Sequence, residues 1–248
     1  MSIRSARSLL LAAVTLVLLG CEKPSATEPG ASGELVVRIG ASAPLTGPQA
    51  HIGKDNESGT RMAIEDANAK GIVIGGRKVR FELISEDDQA DPKTATIVAQ
   101  KLVDNKVSGV IGHLNSGTSI PASRIYHDNG IVQISPSATA VEFTANGYKT
   151  AFRVMANDAQ QGRVLGEYAT GKLAAKKIAV IDDRTGYGQG LADEFIKSAQ
   201  ANGAQIVARE YTNDKAYDFT AVLTAVKGRQ PDLLFFAGMD PQAGPMAK

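Results

Sequence analysis

The 248-residue chain has one cysteine, Cys21, three histidines, no tryptophan, and few other aromatics: six tyrosines and seven phenylalanines. A lone cysteine cannot close a disulfide within the chain, so the fold rests on an ordinary hydrophobic core. His51, His113 and His127 sit on separate segments with no Cys, Asp or Glu at ligand spacing, which argues against a metal site. There is no Gly-x-Ser-x-Gly elbow, Walker loop or paired-carboxylate constellation, so no cofactor is expected and the chain does not read as an enzyme. Charge of one sign is also missing: 27 Lys and Arg stand against 26 Asp and Glu, without a basic stripe. Nucleic acid is therefore not an expected partner. Long apolar runs are absent too, because Leu9–Gly20 falls short of the roughly 20 residues that a membrane-spanning helix needs.

That run nevertheless has a meaning. Arg4 and Arg7 precede it, and small Gly20 follows, directly before Cys21. This is the layout of a secretory signal peptide over residues 1–20, which places the remainder outside the cytoplasm. Leu18-Leu19-Gly20-Cys21 resembles a bacterial lipobox, although Leu19 stands where a small residue is usual. Lipidation at Cys21 would explain an unpaired cysteine in an exported chain. Residues 21–34, rich in Pro, Ser, Gly and Ala, read as a flexible tether between a membrane anchor and a soluble domain. One acyl chain anchors weakly, whereas the several chains of a lipoprotein hold. Without Arg4 and Arg7 the count is 25 basic against 26 acidic residues.

From Leu35 onward, short β-branched runs alternate with helical patterns, which predicts βαβ units and parallel sheets. Strands are expected at Leu35–Ala41, Val79–Glu86, Gly109–Ile111, Ile131–Ile134, Lys177–Ile181, Gln205–Glu210 and Leu233–Phe236. A helix over Glu57–Lys70 should turn Met62, Ala63 and Ala67 inward, and Ile72–Lys78 should form a small hairpin. Asp91-Pro92 supplies a cap and a first-turn proline, and Ala95, Val98, Ala99 and Leu102 recur at helical spacing. Further helices are expected over Thr118–Asp128, Gln160–Lys172, Leu191–Ala201 and Phe219–Lys227. An irregular stretch near Phe143–Ala156 divides a first lobe, 35–150, from a second, 151–248. Gly238–Gly244 reads as a loop after a strand, with no helix covering the sheet there.

Open α/β sheets bind ligands at the carboxyl ends of their strands. Two hydroxyl-rich loops lie at such ends: Gly112–Pro121, with Leu114, Ser116, Thr118 and Ser119, and Ser135–Ala140, with Ser137 and Thr139. Their hydroxyls and free N–H groups suit either a ligand carboxylate or simple helix capping. Gly186-Tyr187-Gly188-Gln189-Gly190 has the spacing GxGxG, not GxGxxG, and reads as a tight strand-to-helix turn.

Several motifs together resemble the branched-chain amino acid (Leu/Ile/Val) binding proteins, substrate-binding subunits of ABC transporters. They are Ser42-Ala43-Pro44-Leu45-Thr46-Gly47, Asp87-Asp88-Gln89-Ala90-Asp91-Pro92, Gly109-Val110-Ile111-Gly112, Ser135-Pro136-Ser137-Ala138-Thr139 and Tyr187-Gly188-Gln189-Gly190. The resemblance implies a type I periplasmic-binding-protein fold, two Rossmann-like lobes with parallel sheets, the second incomplete. It implies a small amino acid or amide as ligand and an ABC permease as partner, with no cofactor. Ser116 and Thr139 would hold the ligand carboxylate, the Ser137 carbonyl its ammonium, and Tyr187 would approach from the second lobe. Leu114 falls within the implied site. Ile52 and Met239 stand where such receptors place aromatic walls, and the acidic residue that usually completes the ammonium site would lie beyond Lys248. A sensor lobe of the same fold, or a truncated fragment without function, remains an alternative.

Overall fold

The computed structural model describes residues 33–248. The expected signal peptide, Cys21 and the tether up to residue 32 lie outside the described residues. The first lobe runs β1 (Leu35–Ala43), α1 (Ala50–Ala69), β2 (Val73–Ile74), β3 (Arg77–Asp87), α2 (Pro92–Asp104), β4 (Gly109–Gly112), α3 (Ser116–Asp128), β5 (Val132–Ser135), α4 (Glu142–Ala145) and β6 (Ala151–Arg153). Its sheet has the order β2-β3-β1-β4-β5-β6, parallel throughout except for the β2–β3 hairpin. The second lobe runs α5 (Asp158–Glu167), β7 (Lys177–Asp182), α6 (Gly186–Ala201), β8 (Gln205–Tyr211), α7 (Thr220–Lys227), β9 (Leu233–Ala237) and α8 (Asp240–Met246). Its parallel sheet has the order β8-β7-β9.

In both sheets the chain reverses direction around its starting strand. β1 has β3 on one side and β4 on the other, and β7 lies between β8 and β9. The loops leaving such strands diverge and open a crevice at their carboxyl ends. Every loop named below leaves that end of a strand.

Local sequence accounts for most elements. The Asp91 carboxylate accepts from the Thr94 N–H at 2.7 Å, Pro92 opens α2, Ala95 is buried, and Val98, Ala99 and Leu102 pack with Val110, Ala122 and Tyr126. In the second lobe, Ile178, Val180, Leu191 and Phe195 form the core under α6. Glycines bring α5 against α6, since a Cβ at Gly162 would lie 2.6 Å from the Glu194 Cβ. Ser198 fixes the contact by donating to the Arg163 carbonyl at 2.8 Å.

Several expectations differ from the structure, among them the start of α6 at Gly186 rather than Leu191, so that Gly186–Gly190 lies within the helix rather than in a turn before it. α1 begins at Ala50, well before Glu57, because Gly53 packs where a Cβ would overlap the Pro44 carbonyl. Met62 is 66% exposed rather than inward, and Ala63 lines an open groove with Ile39, Ile64, Phe81 and Ile111. Ala67 is half-buried and Ala63 exposed, so the inward stripe is only half realised. β6 pairs with β5, so the first sheet extends past Thr150 to Arg153. Finally, α8 occupies most of Gly238–Gly244, and its Met246 packs with Phe219 and Phe236. The last strand is covered on its other side by Phe195, whose ring stacks on Phe235 at 3.7 Å.

Candidate functional site

Ser116 opens α3 directly after the β4 loop, with Asn115 in extended conformation as its cap residue. The first N–H groups of a helix have no partner within it, and the helix dipole favours negative charge there. Of the hydroxyls in this loop, Thr118 donates to the Asn115 carbonyl at 2.9 Å and Ser119 to the His113 carbonyl at 2.9 Å. Both are committed to shaping the turn. The Ser116 hydroxyl differs, accepting from the Ala140 N–H at 3.1 Å and keeping its own proton for another acceptor.

The β5 loop is held from several sides. Ser135 Oγ accepts from the Ala138 N–H at 2.9 Å, and the Ser137 hydroxyl donates to the Leu114 carbonyl at 2.8 Å. Arg153 donates to the carbonyls of Ala138 and Ala140 at 2.7 and 2.8 Å. The Asp158 N–H, at the start of α5, donates to the Thr139 carbonyl at 2.8 Å. Ser137 thus has a side-chain role, tying the two loops together, beyond the backbone contact expected of it. The result is a preorganised pair of loops with the Thr139 Oγ1 left without a partner.

Behind the first loop lies a buried network. His113 Nδ1 is 2.7 Å from Asp88 Oδ2 and 3.0 Å from Ser42 Oγ, while its Nε2 is 3.1 Å from the Tyr126 hydroxyl. All four residues are buried. Burial, with the Asp88 charge, pushes the Tyr126 phenol far above its usual range. His113 uses one nitrogen toward both Ser42 and Asp88, so it cannot pass a proton between them as a nucleophile–base–acid relay does. The network braces the loop from below.

From the second lobe, α6 presents its N-terminus, capped by Thr185 Oγ1 on the Gly188 N–H at 3.0 Å. The starts of α3 and α6 abut through two glycines: a Cβ at Gly186 would lie 3.3 Å from the Gly117 Cα. Two positive dipole ends thus face one region, a field suited to an anion. Gln161 Nε2 donates to the Tyr187 hydroxyl at 3.3 Å. Burial, and the carboxylates Asp158 and Asp183, hold the Tyr187 phenol above its usual value, keeping it a neutral donor. An exposed pair, His51 Nε2 and Asp240 Oδ2 at 3.1 Å, links α1 to α8 across the mouth.

Between these parts lies a cavity of about 260 Å³ lined by Ile52, Leu114, Asn115, Ser116, Ser137, Thr139, Gln161, Tyr187 and Met239. All seven residues expected from the sequence are brought together there, three apolar and four with hydroxyls. Asn115, where the family resemblance implies a different residue, and Gln161, which was not expected, complete the lining; Asn115 is held by donating to Gln49 Oε1 at 2.7 Å. Gln161 sits one position into a helix expected from Gln160, so its spacing gave no sign of the cavity.

The periplasmic binding protein family model matches residues 36–248. The chain is 40% identical over 215 residues to Leu/Ile/Val-binding protein homolog 1 of Brucella abortus, covering 87% of this chain and 57% of that protein. It is 38% identical over 208 residues to a leucine-, isoleucine-, valine-, threonine-, and alanine-binding protein of Pseudomonas aeruginosa, covering 84% of this chain and 55% of the relative. The chain therefore spans a little over half the length of these relatives. Among solved structures, a leucine binding protein of Thermotoga maritima superposes with a TM-score of 0.78 at 28% identity, covering 85% of this chain and 59% of that one. A branched-chain amino acid transporter substrate binding protein of Streptococcus pneumoniae, in complex with isoleucine, gives 0.75 at 31% identity, with 85% and 59% covered. The match runs through both hydroxyl loops and the α6 turn, and the chain belongs to the periplasmic binding protein family.

Proposed function

We propose that this chain captures one small amino acid, of the branched-chain type, outside the cytoplasm and presents it to the permease of an ABC importer. The observation that carries this reading is the cavity, where two helix N-termini and the free Ser116 hydroxyl proton face apolar walls of Ile52, Leu114 and Met239. Such a site fits a carboxylate at one end and an aliphatic side chain at the other. Hydrogen bonds to charged ligand groups are the strong kind. No step of bond making or breaking is assigned to the site, and the buried Ser42–His113–Asp88 cluster is sealed and wrongly connected for catalysis.

Calorimetric titration of the protein with a panel of L-amino acids, small amides and benzoate tests the proposal. Leucine, isoleucine or valine should bind with one site per chain. No heat with any amino acid, or saturation by benzoate alone, overturns it and leaves the sensor or functionless-fragment alternatives.

The anchor is a separate proposal, resting on the sequence around Cys21. In the producing bacterium the protein should fractionate with membranes, and Cys21→Ser should release it into the soluble extracytoplasmic fraction. Unchanged sedimentation of the serine variant would sink lipid attachment at this residue.

A further inference from the structure

The first turns of α1 and α8 carry an ion pair that holds no part of the ligand. His51 Nε2 lies 3.1 Å from Asp240 Oδ2, and both side chains are more than half exposed. Each partner stands next to a wall of the cavity: His51 precedes Ile52, and Asp240 follows Met239. Ile52 belongs to the first lobe and Met239 to the second. The pair therefore bridges the lobes where they bring the apolar walls of the cavity together.

The other charged groups around the mouth are engaged elsewhere or lie along the same helix. Lys54 and Asp55 are one turn on in α1. Asp183, Arg184 and Asp214 line an adjoining cavity of about 280 Å³, together with Gln49 and Met239. Of these, Asp183 accepts from the Thr185 hydroxyl, and Arg184 lies over the Tyr211 ring at 3.5 Å, both within the second lobe. Among the described residues, the ion-pair partner of His51 is Asp240 alone. A positive charge is unfavourable at the start of a helix, where His51 stands, unless an opposite charge lies beside it. Asp240 supplies that charge only while the lobes are together, because the contact crosses from one to the other.

We propose that His51 and Asp240 are positioning residues that latch the mouth of the cavity and tighten ligand capture as the pH falls. Histidine changes charge near about pH 6.5, so the contact passes from a neutral hydrogen bond above that range to a charge-assisted one below it. A contact made only in the closed form raises affinity by the factor that it adds to closure. Linkage fixes the sign. A proton that strengthens the closed form is taken up on closure, so affinity rises on acidification and falls as the pH climbs through the histidine range. Exposed charge pairs shift an equilibrium by about two- to fivefold. This inference rests on the amino acid reading above and extends it from what is held to how firmly the lobes hold it.

The test titrates leucine into the parent, His51→Gln, Asp240→Asn, the double variant and His51→Lys at about pH 5.5 and about pH 8, either side of the histidine range. Both side chains are exposed, so none of these substitutions disturbs the core. Ionisation of the ligand and of every other side chain is common to all the proteins and cancels in the comparison. Parent affinity should be about two- to fivefold higher at the lower pH. His51→Gln and Asp240→Asn should bind equally at both, within about 1.5-fold. His51→Lys, charged throughout, should bind at both as the parent does at the lower pH. The double variant should be no weaker than either single one, since the second substitution has no contact left to break. A parent whose affinity does not change with pH overturns the proposal, as does the parent's pH ratio persisting in His51→Gln or Asp240→Asn. So does a double variant weaker than both single ones, or a His51→Lys variant as weak as His51→Gln. Those results leave the amino acid reading standing, because leucine still binds. A parent that binds no leucine at either pH overturns that reading, and this inference with it.

Discussion

Replacing Asp88 with alanine should lower the melting temperature of the protein by about 10 °C. Asp88 and His113 are both fully buried, 2.7 Å apart, and Ser42 donates to the same carboxylate at 3.2 Å. The other oxygen accepts from the Ala90 N–H at 3.0 Å. Removing the carboxylate leaves the Ala90 N–H without its acceptor, and leaves His113 Nδ1 and the Ser42 hydroxyl only each other, at 3.0 Å. Leaving buried donors unsatisfied costs about 1–3 kcal/mol for each one, and this carboxylate accepts from three groups. A domain of this size loses about 2–4 °C per kcal/mol. The network spans β1, the β3–α2 connection, the β4 loop and α3, so the loss falls on the packing of the first lobe as a whole. Asp88→Asn keeps an acceptor and should lose about half as much. A calorimetric melt of Asp88→Ala within about 2 °C of the parent would show that the network contributes little.

What the sequence made legible follows from how locally each feature is determined. α2 could be read because cap, first-turn proline and apolar stripe all lie within thirteen residues that need nothing from elsewhere. The start of α1 could not. Gly53 weakens the helix pattern, and its reason for being there is a long-range contact with the Pro44 carbonyl. β6 is three residues long, and only pairing with β5 makes it a strand. α8 carries Pro241, Gly244 and Pro245, which look like loop residues, yet proline suits a first helical turn and Met246 anchors the far end.

The site was legible where its chemistry lies on loops that follow strands. The hydroxyl-rich loops at strand ends suited capping as well as a ligand, and family resemblance is what singled out Ser116, Ser137 and Thr139. Ile52, Leu114, Met239 and Tyr187 came from family resemblance, and the cavity contains them all. Asp158 was not legible. An aspartate next to Asn157 at a helix start reads as an exposed capping residue, and the cap is in fact Asn157, whose side chain accepts from Gln160. That the neighbouring carboxylate is sealed beneath Thr139 depends on how the lobes meet, which no short window of sequence encodes.

Ser116→Ala and Thr139→Val should each weaken leucine binding by about tenfold to hundredfold, whereas Ser137→Ala should weaken it by about threefold at most. The three hydroxyls are chemically similar and line the same cavity, so the difference must come from what each one already does. Ser116 accepts from the Ala140 N–H, leaving its proton free for a ligand carboxylate at the α3 N-terminus. Thr139 Oγ1 has no partner in the structure, so its hydrogen-bonding capacity is available to the ligand. Ser137 has already committed its proton to the Leu114 carbonyl, so its loss loosens a tie between loops and removes nothing aimed at the ligand. The side chain at 137 should therefore register mainly in stability, by about 1 kcal/mol, and those at 116 and 139 mainly in affinity. Titrations of the three variants, each paired with a melt of the empty protein, separate these effects. Equal losses of affinity at all three positions would mean that the hydroxyls act as one interchangeable polar surface, and the division of labour drawn from their hydrogen bonds would fall.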